Sequence, residues 1–560
     1  MPFRGSGPRT AMVFFRGRRV CLKDWWSRPT DEDMRCIAAQ LQRKPRQVIA
    51  VARRCRFGFP QVIVTNPVVW GPLRRSEQKA ARSEHEPRVF PTLYWLTCPY
   101  LVSAVGRLES QGWVGRLKTW LEAEGLQEKW ADVHRRAAVE RLEVLPEEHG
   151  RLMRQVHPSQ WQVLVSSGVG GMRSVEGIKC LHAHLGDYLA GPVGEERSLE
   201  RVDDIPGSRN PVGAKTLALL LHHGVDVSGC WDCMCGDPPP IRRIVAIDVG
   251  SNSCRMLAVD VDDVGRQQRD AAALQSTRLA AGLQVHGTLM PAALQRTLHA
   301  LEMFLRTGRE GKAEEEIQVL AVATQAVREA ANPEALLWPA WERLGLALRV
   351  ISGEQEGRLA FAGISAILGD KCPPEEAVGV LDIGGGSTEV VVGTAEEGMI
   401  WSASVKTGAV RLTDEISLSG HDAVGDVKAL FHAANEKLEQ SLIPAARLLP
   451  DEEGLLIGVG GTLTSLAAID LRLEVYDPQR VQGHVLTYGR IAEMAEWLAA
   501  MPLVQRRQVP GLQPERADII LAGAAIALAA MDLLRKKRII ISEADLLQGM
   551  IETFQMRKEP

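Results

Sequence analysis

The sequence predicts an α/β protein in which residues 243–556 form two related domains facing one another across a cleft, preceded by an N-terminal α+β module. A strand that ends in an aspartate and enters a glycine-rich loop occurs twice, 134 residues apart, at Asp248 and Asp382. A run of three prolines, 238–240, divides the chain. Because single cores stop growing near roughly 250–300 residues, 560 residues require several domains.

The charge distribution supports two unlike modules. The net charge of −3 is a cancellation, because residues 1–240 carry 34 basic against 26 acidic side chains and residues 241–560 carry 32 against 43. The longest apolar run, 519–531, is shorter than the roughly 18 residues that a membrane span needs, and nothing resembles a secretion signal. We therefore expect a cytoplasmic protein without a membrane span, in which free thiols or a metal site are favoured over disulfides.

The first loop follows a predicted strand over 243–248 and leads into a second strand. Gly250 permits a tight turn. The next three residues offer hydroxyl, amide and backbone N–H donors suited to a phosphate: Ser251, Asn252 and Ser253.

The second loop repeats this design after a predicted strand over 378–382. Its backbone N–H groups are unobstructed because three glycines follow one another: Gly384, Gly385 and Gly386, then Ser387. The carboxylates beside the loops are hard oxygen ligands of the kind that Mg²⁺ binds, namely Asp248, Asp382 and Glu389.

Other segments add anion-binding groups. Residues 458–462 leave a predicted strand at the start of a helix, where anions bind, and contribute Gly460, Gly461 and Thr462. Residues 406–411 combine a glycine turn with two cations, and Arg328 is suited to bidentate phosphate contact. The carboxylate-rich helix start near 354–356 offers a general base for water.

Taken together, these motifs resemble the exopolyphosphatase/guanosine pentaphosphate phosphatase (Ppx/GppA) family. The resemblance rests on residues 248–253, 323–328, 351–358, 382–389 and 458–462. It implies two RNase H-like domains of the actin and sugar-kinase superfamily, with the active site in the cleft between them, and a homodimer is expected.

The resemblance implies Mg²⁺-dependent removal of the terminal phosphate of inorganic polyphosphate. Glu356 matches the carboxylate that activates the attacking water, and Asp382 and Glu389 match carboxylates near the metal. The implied phosphate-binding positions are Gly250 to Ser253, Arg278, Arg328 and Gly384 to Ser387.

Several alternatives stay open. One is a guanosine pentaphosphate phosphohydrolase; another is a polyphosphate or alarmone sensor with weak turnover, coupled to the N-terminal module. A sugar kinase or actin-like ATPase shares the fold, but residues 351–361 and the Ser251-Asn252-Ser253 loop argue against it. No specific nucleic acid is expected as a partner. Because a polyanion would meet an acidic module, we expect a local basic strip, with residues 506–507 and 535–538 as candidates.

Residues 31–236 resemble the uncharacterised domain-of-unknown-function family 501, which implies no activity. Cys180, His182 and His184 alternate as they would on one face of a strand. Zinc prefers such Cys/His sets, and three further thiols lie close in sequence: Cys230, Cys233 and Cys235. With only one C-x₂-C, a metal or redox site, buried thiols with core histidines, and a thiol-based catalytic site all remain possible.

The expected domain division is as follows: a basic extension over 1–30, the module over 31–236, a proline-rich linker over 237–242, domain I over 243–365 and domain II over 366–556. A return of the last helix to domain I is the open alternative.

Overall fold

A computed structural model describes residues 10–15, 18–45, 47–70, 87–174, 177–192, 209–229, 235, 241–262, 265–313, 316–368, 375–416, 423–450, 452 and 454–556. The chain forms two compact units. One comprises Met1–Pro240 together with Leu337–Ala347, and the other comprises Ile241–Leu336 and Leu348–Pro560. The proline run lies outside the described residues.

The first unit combines antiparallel strands with helices. Its strands are β1 (Thr10–Phe15), β2 (Arg18–Lys23), β3 (Val48–Arg54), β4 (Pro60–Thr65), β5 (Val68–Trp70), β6 (Pro87–Val89) and β7 (Tyr94–Leu96). They pair as β1-β2, β5-β6 and a sheet of order β3-β4-β7. Its helices are α1 (Asp31–Leu41), α2 (Pro99–Ser110), α3 (Trp113–Ala123), α4 (Gln127–Glu143), α5 (Glu147–Val156), α6 (Pro158–Ser166), α7 (Leu181–Leu189) and α8 (Pro211–His222), with a short 3₁₀ helix over Val169–Gly171.

Helical periodicity explains α2 and α7. In α2, the predicted stripe of Leu101, Val105 and Leu108 is buried. In α7, Leu181, Leu185 and Leu189 recur every fourth residue and are completely buried. The expected strand over 180–184 is wrong, because Leu181–Leu189 forms a helix whose leucine face is buried.

The second unit contains two sheets of one design. The first has strands β8 (Arg243–Val249), β9 (Ser253–Val261), β10 (Gln267–Ser276), β11 (Ile317–Ala323) and β12 (Arg349–Val350), in the order β10-β9-β8-β11-β12. β8, β9 and β10 form an antiparallel meander, and β8, β11 and β12 are parallel.

The second sheet repeats this order and adds an edge strand. Its strands are β13 (Val378–Ile383), β14 (Thr388–Thr394), β15 (Gly398–Val405), β16 (Leu456–Val459), β17 (Val485–Thr487) and β18 (Arg538–Ile541), in the order β15-β14-β13-β16-β18-β17. The first three form an antiparallel meander, β13, β16 and β18 are parallel, and β17 is antiparallel to β18. An antiparallel meander followed by parallel strands is the RNase H-like arrangement, present here twice as expected.

The helices of the second unit cover these sheets. They are α9 (Leu283–His286), α10 (Pro291–Arg309), α11 (Gln325–Glu329), α12 (Glu334–Leu344, which continues into the first unit), α13 (Gly353–Leu368), α14 (Ala409–Glu415), α15 (Ala423–Leu448), α16 (Gly460–Asp470), α17 (Pro478–Val481), α18 (Tyr488–Ala499), α19 (Leu503–Arg506), α20 (Ile520–Leu533) and α21 (Leu546–Met556), with a 3₁₀ helix over Pro514–Arg516. α13 packs against β14, β15 and α21, and α21 packs against β8.

The long apolar run forms α20, the centre of a large core. Every residue of α20 from Ile520 to Met531 is buried, and the helix packs against α15, α16 and α18. This surrounding protein explains a helix that is apolar on all sides. Within the described part of the chain, no helix combines the length and apolar character that a bilayer span requires.

Candidate active site

The two aspartate-ended strands place their loops in matching geometry. Asp248 lies near the end of β8 and Asp382 near the end of β13. Gly250 N–H donates to the Ser253 carbonyl at 3.1 Å, and Gly384 N–H donates to the Ser387 carbonyl at 3.0 Å. Each loop therefore closes the same tight turn, two residues after its aspartate.

These turns leave backbone donors available to a ligand. Among the described residues, the N–H groups of Ser251, Asn252, Gly385 and Gly386 donate to no backbone carbonyl. All four residues line one small cavity of about 70 Å³. Successive N–H groups without a carbonyl partner can bind an anion, so this geometry is compatible with the phosphate binding predicted for both loops.

Glycine is required where the two loops meet. A Cβ atom on Gly386 would run into the amide oxygen of Gln325, which accepts a hydrogen bond from Ser251 Oγ at 2.9 Å. A Cβ on Gly460, whose φ is +83°, would strike the Asp382 carboxylate. The absent side chains thus allow the loops and carboxylates to approach.

Four carboxylates line the same cavity: Asp248, Glu356, Asp382 and Glu389. Asp248 and Glu389 are buried, whereas Asp382 and Glu356 are partly open to it. Ser404 Oγ donates to Glu389 Oε1 at 2.7 Å, and Arg328 lies 3.6 Å from Glu356 Oε2. The structure brings together the four carboxylates that the sequence singled out.

Burial and mutual repulsion disfavour the charged forms of these groups. Burial raises the pKa of Asp382 to about 7, and the negative charge of Glu389 is the second largest cause. Burial followed by the charges of Glu389 and Asp248 raises the pKa of Glu356 well above its usual range. The pKa values of Asp248 and Glu389 are also raised, mainly by burial. An added cation would relieve this repulsion.

The site fits Mg²⁺. Asp248 Oδ1 and Glu356 Oε2 are buried oxygens that accept no hydrogen bond from the part of the chain the structure describes. Mg²⁺ typically takes one or two carboxylates and completes its shell with water and substrate phosphate oxygens. Within the described residues, carboxylate oxygens that accept no hydrogen bond lie beside N–H groups that donate to no backbone carbonyl, which provides that combination.

Three charged residues of the site were not singled out from the sequence. Arg255 faces Asp248 across the β8–β9 hairpin, donates to its Oδ2 from Nη2 at 2.7 Å, and also pairs with Asp545. Burial lowers the pKa of Arg255, but the carboxylates of Asp545 and Asp248 outweigh it and raise the pKa overall. The predicted hairpin was a usable signal for this pair, because residues directly opposite in a hairpin interact.

Arg516 is the third missed residue. It lines both the small cavity and an adjoining cavity of about 530 Å³, and its guanidinium lies where a Cβ of Gly461 would be. Burial and then the charge of Arg255 lower the pKa of Arg516 to about 10, so it stays cationic at neutral pH.

Most of the other predicted phosphate ligands also line the small cavity, but two arginines, Arg278 and Arg328, do not. Ser253, Ser387, Gly461 and Thr462 line the small cavity. Arg328 donates to the Ile351 carbonyl at 2.6 Å and lines a separate cavity of about 640 Å³. Arg278 is held outside the small cavity by Asp518 and the Glu515 carbonyl, each at 2.9 Å.

The loop over 406–411 does not offer the expected donors. The N–H groups of Ala409, Val410 and Arg411 donate to the carbonyls of Gly384 and Gly385, so they brace the second loop. Lys406 and Arg411 both pair with Glu329, at 3.0 and 2.6 Å. These three N–H groups and both cations therefore have partners within the protein, and an anion site at this loop stays a prediction.

The two basic clusters expected to form a strip, 506–507 and 535–538, line neither of the two cavities that contain Arg516. Arg506 is buried and donates to the carbonyls of Leu498, Met501 and Ala517. In the second cluster, Lys536 is buried with Nζ 2.6 Å from the Pro450 carbonyl, and Lys537 pairs with Glu452. Arg255 and Arg516 supply positive charge inside the site instead.

In the first unit, the structure separates the predicted Cys/His set. His184 is fully buried, its Nδ1 lies 3.2 Å from Asn210 Nδ2, and burial lowers its pKa to about 3, as for a core histidine. Cys180 and His182 instead lie beside Glu109. Gln40 Nε2 donates to Cys235 Sγ at 3.3 Å. Cys230 and Cys233 lie outside the described residues.

A duplicated RNase H-like fold with paired glycine loops over buried carboxylates defines a protein of the actin-like ATPase fold class. A family model described as the Ppx/GppA phosphatase family matches residues 268–556, more than half of the chain. The chain therefore belongs to the Ppx/GppA phosphatase family, as its motifs indicated, and it is a phosphatase. A second model, of a protein family of unknown function (DUF501), matches residues 51–198.

The chain is similar to several individual proteins. Exopolyphosphatase 2 of Mycobacterium tuberculosis is 31% identical over 329 residues, covering 55% of this chain and 98% of the relative. A bifunctional 3-dehydroquinate synthase/phosphatase of Fusobacterium nucleatum is 27% identical over 316 residues, covering 55% of this chain and 46% of that protein. The crystal structure of the Ppx/GppA family member of Aquifex aeolicus has 31% identity, covers 57% of this chain and 100% of its own, and gives a TM-score of 0.48.

Proposed function

We propose that this phosphatase is an exopolyphosphatase that removes the terminal phosphate of inorganic polyphosphate with Mg²⁺ and a glutamate base. One observation carries the proposal: four backbone N–H donors and four carboxylates line the same small cavity. The donors suit phosphate oxygens, and the carboxylates suit a cation and a water molecule. Its relative in Mycobacterium tuberculosis bears the name exopolyphosphatase 2.

Glu356 is the proposed base. Its Oε2 is buried and accepts no hydrogen bond within the described residues. Glu356 takes a proton from a water molecule while the water oxygen bonds to the terminal phosphorus. The bridging P–O bond breaks, and its electron pair leaves with the shortened chain. Arg516 and the loop N–H groups hold the oxygens on which negative charge develops.

Asp248, Asp382 and Glu389 are the proposed Mg²⁺ ligands. When bound, Mg²⁺ supplies positive charge that offsets the phosphate oxygens and the carboxylates themselves. Arg255 orients Asp248 through Oδ2, and Oδ1 accepts no hydrogen bond from the described residues. Ser404 orients Glu389 in the same way.

The adjoining cavity of about 530 Å³ has room for a substrate longer than one phosphate. It shares Arg255, Gly460, Gly461 and Arg516 with the small cavity. A second candidate substrate is guanosine pentaphosphate, which is favoured by Tyr476 and Glu543 in the lining, where the Tyr476 hydroxyl donates to one of the two Glu543 oxygens. An aromatic ring can stack on a base, and a carboxylate can accept its N–H groups.

The test is Mg²⁺-dependent phosphate release from polyphosphate of several lengths and from guanosine pentaphosphate. We expect Glu356→Gln to lower kcat by roughly 10²- to 10⁴-fold, as loss of a general base does. Glu354→Gln is the matched control, because Glu354 lies on the same helix but is 62% exposed and pairs with Arg358. Full activity in Glu356→Gln would contradict the assigned base.

The same assay distinguishes the substrates and the sensor alternative. Release from polyphosphate with none from the pentaphosphate supports the proposal, and the reverse favours the second candidate. A wild-type protein that binds polyphosphate without turning it over would instead be a sensor.

A further inference from the structure

We propose that Glu109, Cys180 and His182 bind a zinc ion in the first unit, apart from the phosphatase site. One ligand atom of each residue lies within 4.8 Å of the other two. Ligand atoms around a tetrahedral zinc are roughly 3–4 Å apart, so side-chain movements of about 1 Å bring them into place.

The two helices that meet here bring the three residues together. Glu109 lies in the last turn of α2, and Cys180 and His182 lie at the start of α7. Glu109 Oε1 accepts the Leu181 N–H at 2.5 Å and lies 3.1 Å from His182 Nδ1. The carboxylate is thus anchored by the backbone of the helix that carries the other two ligands.

The orientation of His182 is the second observation. Its Nε2 lies 3.0 Å from the Val102 carbonyl. A carbonyl only accepts, so Nε2 carries a hydrogen. Nδ1 lies against the Glu109 carboxylate and is the ring nitrogen that would give up this hydrogen bond and its proton to bind a metal. Zinc-binding histidines almost always donate their other N–H to a carbonyl or carboxylate in this way.

Cys180 does not act as a cap for the helix that it precedes. It is the N-cap residue of α7, yet its side chain accepts no capping hydrogen bond. Serine, threonine, aspartate or asparagine would stabilise this position better. A thiolate beside an imidazole and a carboxylate is a zinc ligand set, and three protein ligands leave the fourth position for water or substrate, as in catalytic zinc sites.

The three proposed ligands are accessible from solvent. The side chains of His182 and Glu109 are 28% and 25% exposed, and Cys180 is partly exposed. Zinc can therefore enter from solvent, and the open fourth position can exchange ligands.

The test uses the full chain, stripped with a chelator and titrated with Zn²⁺ or Co²⁺ in excess Mg²⁺. We expect one zinc per chain and, with Co²⁺, the absorption band of a cobalt–thiolate bond. Cys180→Ser should abolish the band, and Cys180→Ser, His182→Ala and Glu109→Gln should each weaken zinc binding by at least roughly 100-fold. Because serine caps helices well, Cys180→Ser should melt no lower than the wild type without metal.

Two controls distinguish this site from zinc binding at the C-x₂-C pair and from nonspecific binding at surface carboxylates. Cys230→Ser/Cys233→Ser removes the C-x₂-C pair, and Glu122→Gln changes an exposed glutamate of α3. Both should keep the band and the affinity. Zinc well below one per chain in the wild type, or a band lost only with Cys230 and Cys233, would overturn the proposal. If Cys180→Ser does not fold, retained zinc affinity in Glu109→Gln and His182→Ala would overturn it as well.

Discussion

At the scale of single residues, the phosphatase site contains buried carboxylates that repel one another, and nearby cations reduce this repulsion. Asp248, Glu356, Asp382 and Glu389 all have raised pKa values, and burial is the largest cause in each case. Arg255 and Arg516 are permanent cations at this site, and Mg²⁺ is the proposed exchangeable one.

The raised pKa of Asp382 predicts how stability depends on pH without metal. Between about pH 4 and 7, the folded chain holds a proton on Asp382 that the unfolded chain has lost, so the free energy of unfolding falls as pH rises. Asp382→Asn removes this charge, so we expect a higher Tm than the wild type at pH 8 in chelator and a much smaller difference at pH 4.5.

The measurement is thermal unfolding with and without Mg²⁺. Mg²⁺ should raise the wild-type Tm more at pH 8 than at pH 4.5, and Asp382→Asn should reduce this gain. Equal Tm values for both proteins at pH 8 in chelator would contradict the pKa assignment.

We expect replacement of Arg255 to lower the free energy of unfolding strongly. Replacing it by methionine leaves Asp248 and Asp545 without their cation, and breaking a buried pair costs roughly 3–5 kcal/mol. Arg358→Met is the control, because its pair with Glu354 is exposed and such pairs contribute about 0–1 kcal/mol. Urea unfolding of the two variants should therefore differ clearly; similar midpoints would show that Arg255 does not hold the site together.

At the scale of elements, the two glycine-rich loops need glycine because neighbouring side chains lie close to them, and not because of their own backbone conformation. Gly386→Ala would place a methyl group against Gln325 and separate the two loops. A misplacement near 1 Å can cost roughly 10²-fold in rate, so we expect that loss in phosphate release with the fold retained.

The control for this variant is Gly489→Ala, in α18, where a Cβ meets open space. It should keep full activity and be neutral or slightly stabilising, because alanine favours helices. Unchanged activity in Gly386→Ala would show that the loops do not need to touch.

Helix α7 shows why an element can be misread. The period of two over Cys180, His182 and His184 suggested a strand, and leucines at 181, 185 and 189 fit the opposite face of that strand as well as one face of a helix. The chain forms a helix over Leu181–Leu189, in which these leucines are buried. Packing in the folded protein, and not the local pattern, therefore decides the structure of this segment.

At the scale of the whole molecule, the unit boundary does not follow the chain. Leu337–Ala347 belongs to the first compact unit although it lies within the phosphatase sequence. Trp338 donates from Nε1 to the Ala214 carbonyl at 2.7 Å, and Trp341 is buried beneath Arg53. Tyr188 donates to Glu342 at 2.6 Å.

We therefore expect a fragment of residues 241–560 to be less soluble than the full chain but to keep its phosphatase activity. Every proposed active-site residue lies in the second unit, so phosphate release per folded chain should match the full protein. Trp338 and Trp341 would lose their cover, so we expect red-shifted tryptophan emission and aggregation. Trp338→Ser/Trp341→Ser in the fragment should reduce both effects; a native-like emission spectrum in the unmodified fragment would contradict the boundary.

The homodimer and the cytoplasmic location stay predictions. The division of the chain into the segments 1–30, 31–236, 237–242, 243–365 and 366–556 stays a prediction as well. The family assignment does not depend on them. The contacts of α21 with α13 and β8 show that the last helix packs near the first sheet.

The amino-acid sequence was sufficient to identify the family, the duplicated strand-and-loop design and the four carboxylates. Short motifs carry this information, because close approach of a loop to its neighbours requires glycine and binding of a metal or phosphate requires particular side chains at fixed local spacing. Asp248, Glu356, Asp382 and Glu389 were each identifiable from a few neighbouring residues.

The three-dimensional packing was needed to learn which groups are already neutralised and which are free to act. Arg255 meets Asp545 across 290 residues, and Glu109 joins His182 across 73. Lys406, Arg411 and the basic clusters have partners that no local pattern reveals. The physical reason is that charge pairing and desolvation depend on distance in space, whereas sequence patterns report only neighbours along the chain.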